Sequence, residues 1–210
     1  MALTARSKGN GDLFEPVPSG LQLALCYGVF DIGTHLEERW DTEIHKIVVV
    51  WELPQHRIQI EDRDLPRAIS KSYRLSLHRK ANLRADLESW RSRPFTKEQA
   101  EVAGFDLKKI LGIPCQLNII HNTSGDKTYA NVASVVPAPM GTELKTENPH
   151  AYFSFEEWPE KGIPVNTPDW IKEKIQTSYE WLGKFKQSKE EDPPIMDQTP
   201  KTDITDDIPF

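Results

Sequence analysis

Two segments between Leu21 and Leu77 place their apolar residues with a period of two. In LQLALCYGVFDIG, Leu21, Leu23, Leu25, Tyr27 and Val29 alternate with smaller or polar neighbours, the pattern of a half-buried strand. IHKIVVVWEL (44–53) is rich in β-branched and aromatic residues, which predicts a second, more deeply buried strand that Pro54 should end. AISKSYRLSL (68–77) alternates again, with Ile69, Lys71, Tyr73, Leu75 and Leu77 on one side and Ser70, Ser72, Arg74 and Ser76 on the other. The period then changes. Leu83, Leu87 and Trp90 stand at i, i+4 and i+7 in HRKANLRADLESW, so a helix with one buried face follows the third strand. TKEQ (96–99) has capping-box spacing, and FDLKKILG closes on Gly112 as a helix C′ residue. PCQLNIIHN and KTYANVASVV are strands joined across TSGD as a hairpin.

After Pro137 and Pro139 the chain becomes irregular and aromatic-rich, with AYFSFEEWPE in its middle. One more helix is signalled, with Thr167 as N-cap, Pro168 at N1 and a stripe of Ile171, Ile175, Ser178, Leu182 and Phe185. The organisation expected is a flexible segment 1–19, a β-rich domain 20–139, a connector with a C-terminal helix 140–185, and a disordered acidic tail 186–210. Few apolar residues in that tail are available to offset its ordering entropy.

Composition alters the picture in two places. The net charge is −6, yet eight Lys/Arg face only Asp86 and Glu88 between Arg67 and Arg93, and three Lys face seven Asp/Glu from Lys186 onward. A basic middle and an acidic tail are thus separated along one chain. Cys26 and Cys115 are isolated in apolar runs and read as buried free thiols. No apolar run is long enough for a membrane span and the N-terminus lacks a signal peptide's apolar stretch, so a cytoplasmic location is expected.

Five strands with a helix between the third and fourth is the strand order of the OB-fold, a small Greek-key barrel plugged by that helix. The sequence end, DDIPF, closely resembles the acidic, Phe-terminated tip of bacterial single-stranded DNA-binding proteins. HKIVVVWELP, SKSYRLSLHRKANLRADLESWRSRPF and KTYANVAS instead resemble a family of phage-encoded OB-fold proteins proposed to bind single-stranded DNA. That likeness covers roughly residues 20–137 and continues weakly to the helix near Trp170. It implies a protein that coats single strands in replication, recombination or repair, within the host cytoplasm if phage-encoded. It further implies that partner enzymes are recruited through Asp206, Asp207, Ile208, Pro209 and Phe210.

Single-strand binding needs cations along the phosphates and aromatic faces for the bases, each stack contributing about 1–3 kcal/mol. Lys71, Tyr73 and Arg74 on the third strand offer both, with Arg79 and Lys80 just beyond. An OB-fold's ligand face lies on strands 2 and 3, rimmed by the 1–2 and 4–5 loops, which brings in Trp40, Lys46, Lys127 and Tyr129. His45 and Trp51 also fall in this region. Trp51 reads more readily as core, Tyr73 and Tyr129 are open to either role, and Trp90 completes a helix stripe as core. Trp40, in the polar stretch HLEERWDTE, is the preferred stacking residue. At the tip, Asp206 and Asp207 are suited to steer toward a basic surface, Phe210 to fill an apolar pocket, and its carboxylate to meet Arg or Lys. No phosphate-cradling Gly loop, paired metal-ligand motif or nucleophile motif is present, so neither a catalytic role nor a cofactor or metal is expected. An adaptor that binds proteins with both barrel and tip is the second reading, and a nuclease or annealing enzyme the third. Homo-oligomerisation stays open.

Overall fold

The computed structural model describes residues 15–39, 41–60, 62–125 and 127–183. Six strands form one sheet. β1 (Gly20–Glu37), β2 (Thr42–Ile60), β3 (Arg63–Arg74), β4 (Pro114–Ser124) and β5 (Lys127–Pro137) lie in the order β3-β2-β1-β4-β5, antiparallel at every pairing. β1 is long enough to serve several neighbours. Its first part, Gly20–Leu25, pairs with β4, and from Leu25 onward it pairs with β2. The sixth strand, β6 (Ala151–Phe153), lies parallel to β1 at Gly28–Phe30. α1 (Asn82–Trp90) lies between β3 and β4, and α2 (Trp158–Lys161) and α3 (Asp169–Gln176) follow β6.

The closed barrel expected from the strand order is reached only in part. Backbone hydrogen bonds do not join β3 to β5. The sheet nevertheless curls until these edges meet, because Lys71 Nζ on β3 donates to the carbonyl of Ala133 on β5 at 3.2 Å. Ala133 sits where the β4–β5 register shifts between Asn118 and Ile119, and such a bulge turns its carbonyl out of the ladder. A side chain thus bridges a seam that a backbone ladder would otherwise close.

Both faces of the middle strands are buried, which explains the unbroken apolar run of β2. Ile47, Val49, Trp51 and Leu53 point into an inner core with Ala24, Cys26, Cys115, Leu117 and Ile119. Leu83, Leu87 and Trp90 of α1 close it, with the Trp51 and Trp90 rings 6.3 Å apart and Trp90 Nε1 donating to Pro114 O at 3.0 Å. Val48 and Val50, the alternate residues of β2, face outward into a second core with Phe30, Ile32, Phe153, Ile171 and Ile175. The segment 140–183 is therefore a strap over the outer side of β1 and β2.

Several local expectations meet the structure directly. The α1 stripe is buried, the β4–β5 hairpin forms, and Thr96 and Gln99 make a reciprocal capping box, each backbone N–H bonded to the other's side chain at 3.2 Å. Both cysteines are free and buried, and burial pushes their thiols well above the ordinary range. Others change. Pro54 does not end β2, because the β2–β3 register shifts between Leu53 and Arg57 and the strand continues to Ile60. β3 begins earlier and stops at Arg74, leaving Leu75 exposed rather than on the core side. FDLKKILG forms only a single 3₁₀ turn, Leu107–Ile110. Pro168, not Thr167, caps α3, which ends at Gln176, so Ser178 is buried beyond the helix and Leu182 is exposed. Phe185 and the tail 186–210 lie outside the described residues.

Candidate nucleic-acid interface

The seam residues come first because two of them were candidate DNA contacts. Lys71 Nζ lies 2.7 Å from Asp86 Oδ2, and the Tyr73 hydroxyl donates to the same oxygen at 2.8 Å. Tyr73 is 4% exposed, and the Lys71 ammonium sits 5.1 Å from the centre of its ring. Burial, followed by the negative charge of Asp86 and the hydrogen bond to it, drives the Tyr73 phenol far above its ordinary pKa. A ring held this way has no free face for a base, and an ammonium bonded to Asp86 and Ala133 is committed to the seam. Parity with Leu75 and Leu77 leaves Tyr73 open to either role in the sequence; the structure buries it against Asp86 of α1, a partner visible only in three dimensions.

Lys46 is half-buried and ion-paired with Glu37 across the β1–β2 ladder. Of the candidate cations on and after β3, Arg74 at the end of the strand, and Arg79 and Lys80 in the following loop, are exposed. That loop is ordered by local bonds. Leu75 N donates to His45 O at 2.9 Å, His78 N to Ser76 Oγ at 3.1 Å and Ala81 N to His78 O at 2.8 Å. Arg84, itself paired with Glu88 at 2.8 Å, donates to Leu77 O at 3.1 Å and ties the loop to α1. The outer side of β3 runs Ser70, Ser72, Arg74 toward this loop, with Ser72 and Arg74 exposed. Lys127 is exposed at the tip of the β4–β5 hairpin, and Tyr129, two residues on, is 50% exposed. Trp51 is buried in the inner core. Trp40 lies outside the described residues, as do Asp206, Asp207, Ile208, Pro209 and Phe210.

The strap determines what else is open. Its entry is fixed at Glu52, a β2 residue with no exposed surface, whose carboxylate accepts from Glu147 N and Asn148 N at 2.9 Å each and from Asn148 Nδ2 at 2.6 Å. Its exit is fixed at Glu180, which accepts from the Thr34 amide and the Thr34 hydroxyl, both at 2.6 Å. His45 Nε2 donates to Asp31 Oδ1 at 2.7 Å, and its Nδ1 lies 3.5 Å from Glu180 Oε1. Burial disfavours the charged imidazole, but the hydrogen bond and charge of Asp31, with Glu180 behind them, outweigh it and raise the His45 pKa. Glu180 shows the converse: burial opposes its charge, yet the two Thr34 donors and His45 hold its pKa below the ordinary carboxylate value.

By covering outer β1 and β2, the strap removes half of the face on which the sequence reading placed DNA. It also supplies an aromatic that reading missed. Trp170 is 46% exposed beside the fully buried Ile171. A position one residue off the Ile171–Ile175 stripe is rotated about 100° from it, so this exposure was available from helical periodicity. His45 and Glu180 were not legible in the same way, because their contact joins residues far apart in sequence.

At the same end of the sheet, a cleft of about 640 Å³ opens between His45, Leu75, Phe105, Tyr152 and Phe155. Arg91 lies above two of the neighbouring rings, its guanidinium carbon 4.2 Å from the centre of Phe95 and 5.0 Å from that of Phe105. Among the described residues, no helix is long and apolar enough to cross a membrane. No family model, curated protein or solved structure matches the chain.

Proposed function

We propose that this chain is a single-stranded DNA-binding protein whose sheet is an OB-type barrel closed at the β3–β5 seam by Lys71. The strand order, the long β1 shared between β4 and β2, and the helix between β3 and β4 that caps the inner core all support that reading. The observation that carries the function is the run Arg74, Arg79 and Lys80. These cations are exposed on consecutive surface from the end of β3 into a locally ordered loop, and none has a carboxylate partner among the described residues. Sequence-independent binding needs such a row, because phosphates recur at every nucleotide. Lys46, Lys71 and Tyr73 belong to the fold in this scheme. Trp40, which falls between β1 and β2 in the sequence, and Trp170 on α3 are the stacking residues. Lys127 extends the path at the hairpin tip. The acidic segment ending in DDIPF is the docking peptide for replication, recombination or repair enzymes.

The strap favours one competing scheme. With outer β1 and β2 covered, the molecule could be an adaptor that binds proteins alone. Gel shifts of the full chain with single-stranded, duplex and RNA oligonucleotides at two salt concentrations separate the two. Salt-sensitive, length-dependent preference for single strands supports DNA binding; no retained complex with any oligonucleotide leaves the adaptor.

A further inference from the structure

The cleft of about 640 Å³ beside His45 and Leu75 has walls of two kinds. Phe105, Tyr152 and Phe155 give it aromatic surface, and Asp31, Asp106, Glu156 and Glu157 set four carboxylates against the single lysine Lys108. Asp31 is taken by His45, and Glu157 by Lys108 and Lys161. Asp106 and Glu156 are exposed, and neither has an ion pair among the described residues. The last described residues of the strap are held beside this cleft. Glu180 Oε1 lies 3.5 Å from Nδ1 of His45, a lining residue. The Trp181 ring is centred 4.9 Å from that of Trp158, which directly follows the lining residues Glu156 and Glu157. The chain then turns, with Gly183 at a φ of +69° and its N–H donating to Glu180 O at 3.2 Å.

We infer that the cleft is the seat of residues 184–189, the stretch KFKQSK that follows Gly183 in the sequence and lies outside the described residues. Chain length selects this occupant. At about 3.5 Å per extended residue, six residues reach roughly 20 Å, and they start from an anchor already beside the cleft. Charge selects it as well. Lys184, Lys186 and Lys189 stand there without a carboxylate, whereas Glu190, Glu191 and Asp192 follow at once and have no complement in an acidic cleft. Phe185 suits the aromatic walls, where rings pack edge to face, and the lysines can pair with Asp106 and Glu156. A short tether holds the segment at an effective concentration of about millimolar, so contacts too weak to retain a free peptide are sufficient. The acidic run from Glu190 then begins at this end of the sheet. Nothing in this seating requires a nucleic acid.

Chymotryptic cleavage after Phe185 in the full chain, followed by mass spectrometry, tests this, because cleavage tracks the population in which the bond is released. Each rate is divided by that of a synthetic peptide of residues 180–192 with the same substitutions. In about 0.05 M salt the wild-type chain should be cut at least about 10-fold more slowly than its peptide, and about 0.5 M salt should remove much of that protection. Glu156→Lys should speed cleavage several-fold, and so should the double variant Lys186→Glu, Lys189→Glu. Hydrogen exchange of the amides in 105–108 and 154–157 should quicken in both. Circular dichroism checks that Glu156→Lys is folded, and the lysine variant alters no residue of the described fold. A wild-type chain cut as fast as its peptide overturns the seating, as does protection that is unchanged in the folded variants. Protection that grows with protein concentration overturns it too, since the occupant would then come from a second copy.

Discussion

At the scale of single residues, the most consequential group is Asp86. Its Oδ2 receives both the Tyr73 hydroxyl and the Lys71 ammonium, so it ties α1 to β3, and Lys71 carries the connection on to β5. Replacing it removes a partner from two poorly solvated donors at once. Asp86→Ala should therefore lower stability by about 2–4 kcal/mol, whereas Tyr73→Phe, which removes one hydroxyl and leaves the ion pair, should cost about 1 kcal/mol. Urea unfolding measures both; equal and small effects would mean that the seam is not held here. His45 offers a pH-resolved test. Its folded pKa is raised above 6.5, so its stabilisation is fully present below that value and is lost as pH rises through the folded pKa. Glu180 is depressed below 4.5, so its contribution is present above that value and is lost as pH falls through the folded pKa. The difference in urea midpoint between wild type and His45→Gln should be largest between pH 4.5 and 6.5 and fade at alkaline pH. A constant difference across pH 4 to 9 would show that His45 acts only by packing.

At the scale of elements, the strap depends on Gly33. This residue has φ of +74°, in the left-handed region that favours glycine, and the β1–β2 register shifts beside it. A Cβ there would stand 2.5 Å from both Ser178 Cβ and Glu180 Oε2. Gly33→Ala should therefore displace the exit of the strap, with a stability loss of about 2 kcal/mol and faster proteolysis near residues 176–183. Unchanged cleavage would mean that the strap does not rest on this turn. The elements themselves were largely legible in the sequence, because period-two and period-3.6 patterns are local properties. β1, the core of β2, α1 and the hairpin all follow from them. Boundaries failed where a tertiary feature intervened. A register shift carried β2 past Pro54, and β3 ended at Arg74, so Leu75 lost the core side its parity implied. The surroundings of the candidate site residues were legible only in part for the same reason. Arg74, Arg79, Lys80 and Lys127 needed only a polar context to be read as exposed, whereas the engagement of Lys71 and Tyr73 depended on Asp86, and the covering of outer β1 and β2 depended on Ile171 and Ile175.

At the scale of the molecule, the surfaces divide by charge. Arg74, Arg79 and Lys80 are exposed at the end of β3 and just beyond it, the sequence stretches that hold β4, most of β5 and the first part of β1 carry no Asp, Glu, Lys or Arg, and the sequence from Lys186 onward is acidic. In the function proposed above, the nucleic acid would lie on the first of these surfaces and partner proteins would meet the acidic end. The central claim concerns the first. Single-strand affinity should fall with salt by about 0.7 log units per log unit of salt for each phosphate contact, so removing three cations should flatten the slope by about 2. The deciding measurement is fluorescence anisotropy of a labelled single-stranded oligonucleotide with wild type and the Arg74→Ala, Arg79→Ala, Lys80→Ala triple variant between about 50 and 200 mM salt, the range over which phosphate contacts weaken steeply. A weaker, flatter response in a triple variant with unchanged unfolding is the predicted result. The same affinity and slope as wild type would contradict the account.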